Sequence, residues 1–230
     1  MDLAYFLNQR LTFVEYFHAN TTALFEAIKS KIEDGEPPYV YTRHPDDPDD
    51  EPAFLEEWEK ADAAMTITGA ACLDLLQSTF HAFLDEYIGQ IGNKKVIPQL
   101  KKLEQKSWFG NYKVFFQDYL QIDWAASGAD LELLEQVILT RNDFTHNIDF
   151  LSLDAFQAPS HAKKYPNSAF VDPRWKTLFV QRTRLTVPGE TLQRAVEALR
   201  ALCVYLDRER YPLMKRRRAE MKAQKDKSGG

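Results

Sequence analysis

Residues 3–32 read LAYFLNQRLTFVEYFHANTTALFEAIKSKI, and in them Leu3, Phe6, Leu7, Leu11, Val14, Phe17, Leu24, Phe25, Ile28 and Ile32 recur at three- and four-residue steps. That period is one face of an α-helix, so the spacing predicts a single long helix here. Gly35, Pro37, Pro38, Pro45 and Pro48 then interrupt regular structure, making residues 33–51 a loop. A second stripe runs through Phe54, Trp58, Ala61, Met65, Thr68, Cys72, Leu75, Thr79, Phe83, Tyr87 and Ile91. It predicts another long helix, opening near Pro52, where a proline suits the first turn. Two such helices joined by a loop are expected to lie antiparallel. Gly69, inside the second, marks either a kink or a place where another part of the chain approaches closely.

Gly92-Asn93 ends the second helix. Shorter helices are expected over Pro98–Lys106 and Tyr112–Ile122. Asp130 is a good N-cap for a helix through Leu131, Leu134, Val137 and Ile138 toward His146. Residues 148–172 read as loop. Thr177–Val180 and Arg184–Val187 have the composition of two short strands. Pro188-Gly189-Glu190 then turns the chain into a last helix carrying Leu192, Val196, Leu199, Cys203 and Leu206. The fold class that follows is all-α in the main: an antiparallel helical bundle with two long N-terminal helices and a minor two-stranded β element before the last helix. Residues 1–210 make one domain, with the acidic loop 33–51 inserted, and residues 211–230 make a basic tail.

The bulk properties fit an ordinary folded domain: 230 residues, 44% hydrophobic and 27% charged. No apolar run reaches the ~18 residues of a membrane span. Met1-Asp2-Leu3-Ala4-Tyr5 has no basic region of the kind that opens a secretory signal. Cys72 and Cys203 sit inside apolar helical patterns and read as reduced packing residues of a cytoplasmic protein. The net charge of −5 is unevenly spread. Acidic residues crowd 33–51, whereas Lys215, Arg216, Arg217, Arg218, Lys222, Lys225 and Lys227 gather at the other end. A basic end can hold a polyanion or can simply be a solvated helix end.

A search for chemistry excludes several sites. There is no Gly-rich phosphate loop, no His-Glu-x-x-His, no Cys-x-x-Cys and no Gly-x-Ser-x-Gly. Of five histidines, His18 and His81 lie on long helices, and His44 and His161 lie in loops without a visible partner. His146 has different company. On an ideal helix starting at Leu131, the apolar residues Leu133, Leu134, Val137, Ile138 and Phe144 share one arc, and Arg141 falls in its middle. Glu132, Glu135, Gln136, Thr140 and Asp143 fall on the other side. An arginine in an apolar arc must face a cleft or be desolvated against a carboxylate, and Asp74 or Asp85 of the second helix is a candidate. Asn142 and His146, four apart, share a face.

The segment Arg141-Asn142-Asp143-Phe144-Thr145-His146, at the end of an amphipathic helix and before a closing helix, resembles the signature of the HEPN superfamily. In that signature an arginine, often followed by Asn, Asp or His, precedes a histidine by four to six intervening residues. The architectural resemblance covers about residues 52 to 210, and only this segment matches residue by residue. It implies a metal-independent endoribonuclease of toxin–antitoxin or antiviral-defence type, with Arg141, Asn142 and His146 catalytic and no cofactor or metal. RNA is the implied partner, held in addition by Lys215, Arg216, Arg217 and Arg218 of the tail. A homodimer placing two motifs in one cleft and a cognate regulatory protein are also implied. Other members of the superfamily are non-catalytic binding or adaptor modules or antitoxin partners, and that alternative stays open on these residues.

Overall fold

The computed structural model describes residues 2–40, 53–100, 107–149, 154–172 and 182–228. Helix α1 spans Leu3–Glu33 and α2 spans Leu55–Gln90, close to the two long helices expected. Gly35, with φ of 64°, ends α1 in the left-handed conformation that spares glycine a steric cost. The Glu36 amide returns to the Lys31 carbonyl at 2.9 Å, satisfying a carbonyl the helix leaves open. Short helices follow: a 3₁₀ turn Lys94–Val96, α3 (Ile97–Leu100), α4 (Trp108–Val114) with a π-helical continuation Phe115–Tyr119, and a 3₁₀ turn Trp124–Ser127. Helix α5 is Leu131–His146, α6 is Pro159–Lys164, and α7 runs from Gly189 to Ser228. Residues 101–106, the end of one expected helix, and residues 41–52 of the acidic loop lie outside the described residues.

The chain divides into two compact units, Met1–Thr12, Leu76–Val137 and Gln193–Gly230 in one, Phe13–Leu75 and Ile138–Leu192 in the other. In the first, Trp124 is buried among Phe80, Phe109 and Phe116, with ring centroids 5.4 to 5.8 Å away. Tyr87, Ile88, Leu199, Leu202 and Leu206 complete that core. In the second, Val14, Leu73, Phe170, Leu185 and Val187 are buried. There the end of α1 meets the start of α2: Lys29 pairs with Asp62 at 2.5 Å and the Trp58 indole donates to Glu33 at 2.7 Å. In the first unit the start of α1 and the end of α2 line one groove. Both contacts have the two helices antiparallel.

Two expectations are corrected. No two-stranded element forms among the described residues. Arg184 and Leu185 make single bridges to two different segments, to Phe156 and to Val171, with the Leu185 amide on Ala155 and the Thr186 amide on Phe170. Two partners of one bridge each share the backbone groups that a hairpin with Thr177–Val180 would need; that expected first strand lies outside the described residues. Residues 148–172 also contain α6, opened by Pro159 at its first turn. In addition, much of the polar arc of α5 is buried: Gln136, Thr140 and Asp143 are 7%, 0% and 6% exposed.

Both cysteines are free and buried. Burial pushes the Cys72 thiol up to about 11 and the Cys203 thiol upward as well, away from thiolate chemistry. None of the described helices is long and apolar enough to cross a membrane.

Candidate functional site

Helix α5 is fixed at both ends. The Asp130 carboxylate accepts from the Leu133 amide at 2.9 Å, the N-cap its position suggested. At the other end Asp143 turns inward. Its carboxylate accepts from the Asn147 side chain and the Ala158 amide, both at 3.1 Å, and stands 2.7 Å from Nδ1 of His161. Asp143 and His161 are both buried, so this pair ties the end of α5 to α6. His161 therefore has a partner that its loop-like sequence context did not show. Pro159 two residues earlier was the available signal for a helix there.

With Asp143 held inside, Arg141, Asn142 and His146 are left at the surface. Arg141 is half-buried. Its Nε donates to Asp74 Oδ1 at 2.7 Å and its Nη2 lies 2.6 Å from the same oxygen. Of the two carboxylates considered from the sequence, Asp74 is the one; Asp85 instead receives the Tyr112 hydroxyl. The third guanidinium nitrogen, Nη1, reaches Asn142 Oδ1 at 3.4 Å. The His146 side chain is exposed and has no hydrogen-bond partner among the described residues. On a straight helix Arg141 and His146 point about 140° apart. The guanidinium reaches Asn142, which stands four residues before His146 on the same helix face.

The Arg141–Asp74 pair is wet, with side chains 31% and 49% exposed. Exposed ion pairs contribute about 1 kcal/mol or less, so a phosphate can displace Asp74 at small cost. A different charge cluster in the same unit is structural. Asp62 receives Lys29 at 2.5 Å and Arg184 at 2.6 Å, and Arg184 also meets Asp154 at 2.6 Å. Burial works against the Asp62 charge, but hydrogen bonds from Lys29 and Arg184 outweigh it and hold the carboxyl below its ordinary value. Lys29 lies 4.0 Å from the Trp58 ring centroid as well. In the other unit, His81 Nε2 stands 3.2 Å from the Tyr112 hydroxyl and its ring stacks on Trp108 at 4.9 Å. Burial, then the hydrogen bond to Asp85, pushes the Tyr112 phenol upward and keeps it protonated.

The basic end continues α7, which runs to Ser228. Two of its four singled-out cations are occupied. Arg216 donates to the Leu120 carbonyl at 2.8 Å and to Gln121 at 3.2 Å; Arg217 donates to the Ile91 carbonyl at 3.1 Å and sits 5.3 Å from the Tyr119 ring centroid. They satisfy carbonyls that helix ends leave open. Lys215 and Arg218 are exposed. No protein-family model, curated protein or solved structure matches the chain.

Proposed function

We propose that the chain is a metal-independent endoribonuclease of the HEPN type, with its site at the end of α5. The observation that supports this most is the reach of Arg141 Nη1 to Asn142, beside a His146 left exposed and unpartnered among the described residues. RNA cleavage by its own 2′-hydroxyl needs a group that moves protons near neutral pH and a cation that stabilises charge on phosphate. Histidine suits the first task. Arginine, always charged and with a planar fork, suits the second. His146 serves as base toward the 2′-hydroxyl or as acid toward the leaving oxygen; Arg141 holds the scissile phosphate; Asn142 orients either. The product carries a 2′,3′-cyclic phosphate, and DNA, which lacks the hydroxyl, is spared. The test is incubation of single-stranded RNA with protein and chelator. Cleavage lost in both Arg141→Ala and His146→Ala supports the reading, and cleavage unchanged in both overturns it.

A second reading, a non-catalytic binding module, draws on Asp74, whose one oxygen engages two nitrogens of Arg141. On that reading Asp74→Asn leaves RNA uncut. On the first, Asp74→Asn frees the guanidinium and cleavage persists.

A further inference from the structure

We infer that the outward face of α1 is a self-association surface that pairs antiparallel with the α1 of a second copy of this chain. On an ideal helix counted from Tyr5, the positions of residues 5–27 that fall within an arc of about 100° are all uncharged. All of them are exposed. The buried residues of α1, Leu3, Leu7, Leu11, Val14, His18 and Thr22, lie on the opposite side. The side of a surface helix away from the core is where charge normally sits. Here Arg10, Glu15 and Glu26 fall on the flanks instead, and large apolar groups fill the outward arc. Tyr5, Phe6, Phe13, Tyr16 and Leu24 are 56%, 52%, 55%, 64% and 60% exposed.

The order of residues along this face picks the occupant. A two-fold axis between residues 14 and 15 sets Phe13 against Tyr16 of the second copy, Tyr5 against Leu24 and Phe6 against Ala23. The same axis sets the only amides of the arc, Gln9 and Asn20, against each other. Asn20 already donates to the Tyr16 carbonyl at 2.7 Å, which leaves its Oδ1 and a second N–H for Gln9. Aromatic thus meets aromatic, large meets small, and polar meets polar, in the self-complementary manner of an isologous interface. With side chains of 150–250 Å² about half exposed, the face offers roughly 500 Å² per copy and about 1,000 Å² for the pair, the size at which specific association begins. A membrane-surface helix would border its apolar face with Lys and Arg, and here only Arg10 does so. The inference rests on α1 alone and holds whether or not Arg141 and His146 cut RNA.

Sedimentation equilibrium of the full chain at tens of micromolar tests it. The wild type is expected to be a dimer, and Phe13→Glu, which changes an exposed residue, is expected to raise the dissociation constant about 100-fold or more while the helical circular dichroism is kept. Gln9→Lys is expected to weaken the dimer about tenfold, and adding Asn20→Asp to restore it to within about threefold of the wild type. A wild-type monomer overturns the inference, as does a dimer that Phe13→Glu leaves intact. Failure of Asn20→Asp to rescue Gln9→Lys overturns the antiparallel register. A monomer that co-sediments with phosphatidylcholine vesicles would assign the face to lipid instead.

Discussion

Asp143 and Arg141 stand two positions apart on one helix and do opposite work. Asp143 is buried and holds the Ala158 amide, the Asn147 side chain and His161. Asp143→Ala strands those donors inside the protein and should cost about 3 kcal/mol in urea unfolding. Arg141→Ala removes a solvent-screened ion pair and His146→Ala an exposed side chain, and each should shift stability by less than about 1 kcal/mol, so any loss of RNA cleavage in them is chemical. Gly69 answers the question its place in α2 raised: a Cβ there would come within 2.5 Å of the Val187 Cβ. Gly69→Ala should therefore destabilise by about 1–3 kcal/mol, measured by thermal unfolding. His18 gives the pH dependence. Burial lowers its imidazole from the ordinary value of 6.5, against an opposing hydrogen bond with the Val187 backbone and the charge of Glu26. Its neutral form is favoured in the folded state, so its contribution is complete above pH 6.5 and is lost as pH falls from there through the lowered folded value. The melting temperature should drop over that window, and His18→Gln should flatten the drop.

The same division between exposed and buried groups governs what each element reveals of itself. The apolar periods of α1 and α2 were legible because each long helix buries most of its stripe, although Phe6, Leu24 and Leu75 of those stripes are exposed. The Asp130 cap and the Asp74 partner of Arg141 were legible for local reasons, a side chain at a helix start and a cation in an apolar arc. The buried polar arc of α5 was not. Gln136, Thr140 and Asp143 are polar yet buried, which the helix wheel alone does not reveal, and for Asp143 the reason is a long-range partner, His161, from a part of the chain read as loop. The hairpin reading failed for a related reason: Arg184–Val187 has strand composition, but its backbone bonds go to residues 155 and 170–172. At the end of α7 a charge run read as one basic patch separates into two roles. Arg216→Ala should destabilise by about 1 kcal/mol through lost carbonyl bonds. The double change Lys215→Gln/Arg218→Gln should leave stability unchanged but reduce the salt slope of RNA binding by about 1.4, two phosphate contacts' worth on a single strand. An unchanged slope would make these cations a solvated end only.

Across the whole molecule the net charge is −5, so on the proposed ribonuclease reading RNA is drawn by local rather than global charge. On that reading the exposed cations of α7 and Arg141, once phosphate displaces Asp74, draw the RNA, and His146 carries the chemistry. The measurement that bears on it most directly follows the cleavage products of a 5′-labelled single-stranded RNA in excess chelator, with wild type, Arg141→Ala, Arg141→Lys and His146→Ala compared at equal folded concentration. The proposed function predicts products ending in 2′,3′-cyclic phosphate from the wild type and none from any of the three variants, the lysine variant failing because an ammonium lacks the bidentate fork. Wild-type RNA left whole, or cleavage undiminished in Arg141→Ala and His146→Ala, would contradict it.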